Sequence, residues 1–156
     1  MKISTKGKYG LRAMIDLAQY SEQEAVSISS IAQRQKISES YLEQLVAKLK
    51  KAGLVISIRG AAGGYRLARP ASDISVGDVL RALEGDVRAV ICTAQTEKGC
   101  EGEELCVTKY VWQRINESIE KTVDEMMIDQ LVAESRKAQE KAKNHDVDYS
   151  RNSCSG

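Results

Sequence analysis

Residues Ser38 to Arg66, SESYLEQLVAKLKKAGLVISIRGAAGGYR, leave this chain few folds to choose from. Ser40 and Glu43 have capping-box spacing, which satisfies the free N–H groups at a helix start. Leu42, Leu45, Val46 and Leu49 recur at three- and four-residue steps, so one face of the helix is apolar. Lys48, Lys50 and Lys51 place positive charge at the last turn, where the helix dipole is negative. Gly53 can take the left-handed conformation that ends a helix. Two short β-like runs follow, Leu54 to Ile58 and Tyr65 to Ala68, separated by the glycine-rich tip Arg59-Gly60-Ala61-Ala62-Gly63-Gly64. A helix followed by a two-stranded wing with an arginine at its tip is shaped for duplex DNA. The helix fills a major groove and Arg59 reaches a neighbouring minor groove.

The charge distribution agrees. The 156 residues carry a formal net charge of +1. Residues 1–70 hold 12 Lys and Arg against 5 Asp and Glu, and residues 71–156 hold 11 against 17. A basic half is the electrostatic footprint of a phosphate binder, and an acidic half points away from DNA. With no Phe and 4% aromatic residues, few rings are available to stack unpaired bases, which disfavours single-strand or RNA binding. No apolar run reaches membrane-spanning length, and no signal peptide opens the chain, so a cytoplasmic protein is expected, with no membrane partner.

Taken in order, Ser4 or Thr5 caps a helix to about Tyr20. Lys2, Lys6, Lys8 and Arg12 at its start are the expected phosphate clamps outside the wing. Ser29 is expected to cap a short helix, Ser30 to Gln35, and the turn Lys36-Ile37 makes a helix-turn-helix with the helix that Ser38 begins. Pro70 ends the wing. Ser75 and Asp78 form a variant capping box for a helix from Val76 to about Leu83, ending at Gly85 and expected to pack under the wing. The predicted class is mainly α: a winged helix-turn-helix domain over residues 1–86, with a long dimerisation helix.

Residues 87–106 form a cysteine loop, with Cys92, Cys100 and Cys106 within fifteen residues. The loop has no helical or strand period, so a metal or iron–sulfur cluster is expected to order it. Thiolates suit both zinc and iron–sulfur clusters, and the spacing is not the paired C-x-x-C of a zinc ribbon. From Glu103 to about Met126 the period is helical again. Val111, Trp112, Ile115, Ile119 and Val123 form an apolar stripe longer than the domain can cover, which predicts a homodimer interface. Residues 103–143 hold this helix and a charged last helix from Asp129 to about Lys143. Residues 144–156, with His145 and Cys154, are expected to be a disordered tail.

The string SYLEQLVAKLKKAGLVISIRGAAGGYRLARPASDISVGDVLRALEG, joined to three following cysteines, resembles the IscR-like regulators. These are the iron–sulfur-cluster branch of a bacterial winged-helix repressor family that also contains nitric-oxide, iron and cysteine sensors. The resemblance runs from about Thr5 to Met126 and is most specific from Ser40 to Tyr65. It implies a homodimer with crossed long helices, an operator in double-stranded DNA and no small-molecule substrate. It also implies a [2Fe–2S] cluster on Cys92, Cys100 and Cys106, with [4Fe–4S] as the other nuclearity. By position, Ser40, Tyr41, Glu43 and Gln44 would face the major groove, with Lys48 and Lys6 among the DNA-binding residues. Arg59 would enter the minor groove, with Gly60 allowing close approach, and Glu43 would discriminate between operator classes.

The chain departs from the family pattern in three places. Ala61 stands where the family often has proline. Lys109 stands where the cluster regulators place a ligating histidine, and a protonated lysine ligates poorly. Lys8 stands near where nitric-oxide sensors supply an aspartate. The fourth ligand is therefore open among Glu97, Glu101, Glu103, Glu104, His145, a residue of the partner copy, or a water or small thiol. A cluster-free family member responding to cysteine status through a partner is the alternative function, and an iron–sulfur electron carrier is a second. One histidine and no Walker or dinucleotide motif argue against an enzyme.

Overall fold

Ser4 starts the first helix by accepting from the Lys6 amide, and α1 runs Thr5–Tyr20. The computed structural model describes residues 3–91 and 105–153. Ser27, two residues before the expected Ser29, caps α2 (Ile28–Gln35), its hydroxyl accepting from the Ser30 amide at 3.1 Å. Ser38, not Ser40, caps α3 (Glu39–Lys51), accepting from the Tyr41 amide at 3.3 Å. Ser38 and Tyr41 have the same cap-to-third-residue spacing as Ser40 and Glu43, and the earlier pair closes the helix. Ser40 therefore lies in the first turn of α3, with its side chain outside the core.

After Gly53, whose φ of +76° only glycine adopts freely, β1 (Val55–Ile58) pairs antiparallel with β2 (Gly64–Leu67). Val26 adds a bridge to Tyr65, with N···O distances of 2.9 and 2.8 Å, and so stitches the wing to the segment before α2. A short 3-10 turn, Ala71–Asp73, leads to α4 (Val76–Glu84). The Ser75–Asp78 box forms as expected, each side chain accepting from the other residue's amide at 3.0 Å. The expected place of α4 is corrected: it packs mainly on α1, with Leu83 filling the space beside Gly10.

The long helix begins later than its apolar period indicates. α5 spans Lys109–Glu125, and Leu105 lies before it, almost fully exposed. α6 runs Ile128–Ser153, ten residues beyond the expected end at Lys143. The expected tail is therefore helical from Asn144 to Ser153, while residues 154–156 lie outside the described residues. Helix continuation there follows from good helix formers in the run Ala133–Lys143, which carry the ladder onward.

The core joins both halves of the chain. Met14, Leu17, Ile31, Leu42, Leu45, Leu49, Val55, Ile74 and Val79 are buried together with Ile128 and Val132 from the start of α6. The amide of Ile128 donates to Ile74 and that of Val76 to Met126. The start of α6 thus contributes to the same core as the winged elements before residue 86.

Candidate nucleic-acid interface

Two surfaces of α3 have opposite characters. Leu42, Leu45, Val46 and Leu49 are buried, while Ser40, Glu43, Gln44 and Lys48 are exposed. Burial of those four fixes the helix rotation. The polar set is left pointing away from the core because helix side chains three to four apart share a face. Tyr41, also expected at the groove, has contacts of its own within the chain. It is half-buried, its ring meets Tyr9 edge-on at 6.2 Å and 89°, and its hydroxyl donates to Thr5 Oγ1 at 3.4 Å. Its ring thus joins α3 to α1.

The turn before α3 is held by contacts that sequence patterning does not reveal. Lys36 adopts the left-handed conformation (φ 54°) and is the only non-glycine residue among the described residues to have a positive φ. Arg12, expected as a phosphate clamp, instead donates from Nη2 to the Gln35 carbonyl at 2.8 Å and from Nε to Gln35 Oε1 at 3.2 Å. Asp16, fully buried, accepts from Arg34 at 2.7 and 2.9 Å and from Gln35 Nε2 at 2.9 Å. The Asp16 carboxylate is the main cause of an Arg34 pKa above its ordinary value, and the Arg34 guanidinium stacks over Tyr20 at 4.1 Å. A buried carboxylate is tolerable here because every lone-pair direction it uses meets a donor.

The wing stands exposed at Arg59 and Gly60. Gly60 needs its freedom for a φ of +112°; a Cβ there would meet nothing within 4 Å. Within the wing itself, Gly64 permits a tight intrachain approach: a Cβ there would sit 2.5 Å from the Val26 carbonyl oxygen. Lys50 Nζ donates to Ser57 Oγ at 2.9 Å, tying α3 to the wing. Lys6 is exposed at the start of α1.

At the other end, Cys92 and Cys100 lie outside the described residues, as do Glu97, Glu101, Glu103 and Glu104. Cys106 is half-buried just before α5. Its Sγ lies 3.2 Å from Thr108 Oγ1. Donation from that hydroxyl, together with the amides of Lys109 and Thr108, pulls the thiol pKa below its ordinary value. Thr108 precedes α5 but its hydroxyl caps no amide of that helix. Lys109 Nζ lies 5.5 Å from the Tyr110 ring centroid. Among the described residues no group of three or more His, Cys, Asp or Glu could hold a metal ion.

Of the expected interface stripe, Val111, Trp112 and Ile115 are exposed, and Ile119 is half-buried. Val123 is half-buried and also packs within the chain on Val76, Leu80 and Val87. Asn116 is a buried residue that the apolar period hides. Its Oδ1 accepts from the amides of Ala89 and Val90 at 2.9 and 3.3 Å, and its Nδ2 donates to the Val90 carbonyl at 2.8 Å. No described helix is long and apolar enough to cross a membrane.

Comparison with known proteins places this geometry. Residues 3–134 match the family described as Rrf2, iron-dependent transcriptional regulator. The HTH-type transcriptional regulator IscR of Vibrio atlanticus is 41% identical over 135 residues, covering 86% of this chain and 77% of that protein. Among solved structures, T. potens IscR is 46% identical with a TM-score of 0.71, covering 89% of this chain and 91% of its own. CymR, the global cysteine regulator of B. subtilis, is 41% identical with a TM-score of 0.70, covering 85% and 97%. Winged-helix architecture, the matched family and the regulators named among its relatives agree: the chain belongs to the Rrf2 family of transcriptional regulators, which are not enzymes.

Proposed function

We propose that the chain is a sequence-specific regulator that binds double-stranded DNA as a cytoplasmic homodimer, with an iron–sulfur cluster on Cys92, Cys100 and Cys106 governing operator choice. The observation that carries the DNA reading is the division of α3, with four apolar side chains inward and Ser40, Glu43, Gln44 and Lys48 outward. In this reading Gln44 and Ser40 donate to base edges, Glu43 accepts from a cytosine amine, and Lys48 and Lys6 meet phosphates. Tyr41 contributes from its half-buried place by holding the first turn of α3 against α1. Arg59 enters the minor groove from the wing tip. Exposed Val111, Trp112 and Ile115 on α5 give the second copy an apolar face.

Cys106 fits a role as cluster ligand. Thiolate is the ligating form, and Thr108 with two backbone amides already favours it. Cys92 and Cys100 would complete the sulfur set. A bound iron–sulfur centre supplies one-electron redox chemistry and reactivity toward oxidants. Anaerobically purified protein should carry iron and sulfide, with [2Fe–2S] favoured over [4Fe–4S] by the resemblance. It should also select one duplex from a random pool over bulk DNA by about a thousandfold or more. Failure to retard any selected duplex would end the DNA reading.

A cluster-free regulator responding to cysteine status through a partner is the second reading. Lys109 favours it, standing where the resemblance implies a histidine ligand, as does the likeness to CymR. Protein without iron or sulfide after anaerobic reconstitution would select it.

A further inference from the structure

Thr5, Tyr9, Arg12, Asp16 and Gln19 lie four, three, four and three residues apart on α1. That spacing puts them on one stripe of the helix. Together they reach three elements packed on α1. Thr5 and Tyr9 meet Tyr41 in the first turn of α3. Arg12 and Asp16 hold Gln35 and Arg34 at the end of α2. Gln19 donates to Gln139 at 2.9 Å and accepts from Ser135 at 3.1 Å, both on α6. The stripe is continuous, since the Arg12 guanidinium also lies 5.4 Å from the centroid of the Tyr9 ring.

We infer that this stripe positions the recognition helix, and that Arg12 at its centre is a positioning residue rather than a phosphate clamp. The inference rests on the DNA-binding function proposed above and deepens it. Three observations support it. The guanidinium directs Nε and Nη2 at Gln35, one residue before the left-handed Lys36 and three before the Ser38 cap. The Gln35 carbonyl belongs to the last turn of α2, where carbonyls lack helical partners and the dipole favours a cation. Asp16, the neighbouring anchor, is fully buried and fixed by three donors, so the α2 end cannot shift without breaking a satisfied network.

A clamp and a brace predict different losses. A phosphate clamp contributes charge, so lysine should replace arginine, and its removal should lower specific and non-specific binding together. A brace contributes the planar two-point geometry that only the guanidinium has, so lysine should fail. Base contacts depend on where α3 lies in the groove, whereas non-specific binding depends mainly on charge.

The experiment compares wild type, Arg12→Lys and Arg12→Ala, all full length. It measures binding to a selected duplex and to a scrambled duplex over a range of salt, with amide exchange of Ile37 and Leu42 followed in the absence of DNA. Arg12→Lys should lose about tenfold in affinity for the selected duplex with unchanged scrambled-duplex binding. Its Ile37 and Leu42 amides should exchange faster, while those of Met14 and Leu17 in α1 keep their protection. Full rescue by lysine would overturn the inference, as would a salt slope lowered by about one in Arg12→Ala. If wild type discriminates no duplex, the proposed function falls, and the exchange rates still decide the brace: unchanged rates at Ile37 and Leu42 would end it.

Discussion

Oε1 of Glu84 accepts from both the amide and the hydroxyl of Ser4, at 2.9 and 2.6 Å. The same oxygen accepts from the Gly7 amide at 2.9 Å. α1 has no acidic residue in its first turn, and the last residue of α4 supplies one from 80 positions away. These bonds, the Ser4 hydroxyl foremost, hold the Glu84 pKa below its ordinary value of 4.5. A folded pKa below the unfolded one means the stabilisation is complete above pH 4.5 and is lost as pH falls through the folded value. Glu84→Gln should cost about 1–2 kcal/mol at pH 7. Urea denaturation at falling pH should show the gap between variant and wild type shrinking below pH 4.5; a gap that stays constant would remove the carboxylate from this role.

Lys36 should be improvable. Its left-handed backbone (φ 54°, ψ 49°) strains any residue with a Cβ, and the side chain is exposed. Lys36→Gly should raise stability by about 0.5–1 kcal/mol, because relief of that strain exceeds glycine's greater unfolded-state entropy. Asn should gain less. Thermal melting decides it, and a lower melting temperature in the glycine variant would mean that the lysine stem makes a packing contact worth more than the strain.

Much of this architecture was legible from residue order, and the misses share a physical cause. The apolar period of α3, the glycine at its end and the Ser75–Asp78 box each act within one turn of chain, so local spacing reveals them. The α2 cap lies two residues before the expected Ser29, and Ser38 rather than Ser40 supplies the α3 cap bond at the expected start, since several serines at workable spacing compete for one helix end. What local spacing cannot show is a partner far along the chain. Asp16 reads as an ordinary polar residue until Arg34 and Gln35 fold onto it, and Arg12 reads as a surface cation until Gln35 arrives. The last helix reads as a charged segment, yet Ile128 and Val132 at its start join the core. The exposed set Ser40, Glu43, Gln44 and Lys48 is recoverable because it is the complement of a buried face. The half-burial of Tyr41 against Tyr9 is not, because an amphipathic ring can point either way.

The wing should fail at Gly64 before it fails at Gly60. A methyl at Gly64 would press on the Val26 carbonyl oxygen and carbon at 2.5 and 2.6 Å, and these are backbone atoms with no rotamer to yield. Gly64→Ala should break the Val26–Tyr65 bridge and cost about 1–3 kcal/mol. Gly60→Ala meets open space and carries only the strain of its positive φ, a smaller loss. Melting curves of the two variants should fall in that order, and the reverse order would show that the tip, not the bridge, limits wing stability.

Arg59 and Lys48 should separate into base-sensitive and charge-sensitive contacts. Arg59→Ala should weaken binding to a selected duplex by about 1–3 kcal/mol and relax sequence preference at the minor-groove step. Lys48→Ala should weaken all duplexes alike and lower the salt slope by about one. Fluorescence anisotropy over a range of salt distinguishes them; an Arg59 variant with unchanged preference would leave the wing as a charge contact only.

Glu43 should act by exclusion as much as by contact. It is exposed on the outward face of α3, one position from Gln44 and three from Ser40. A carboxylate only accepts, so it favours a cytosine N4 amine and is repelled by the acceptor-rich edge of guanine. Each wrong base pair under it should cost about 1–3 kcal/mol. Glu43→Ala should therefore bind previously rejected sequences more tightly while losing some affinity for the preferred one. Removing a negative charge near phosphates should also raise non-specific affinity slightly, and that common gain must be subtracted. Selection from a random duplex pool with wild type and variant gives the comparison directly. If the two pools converge on the same consensus, Glu43 contributes no discrimination and the operator choice lies in Gln44, Ser40 and the wing.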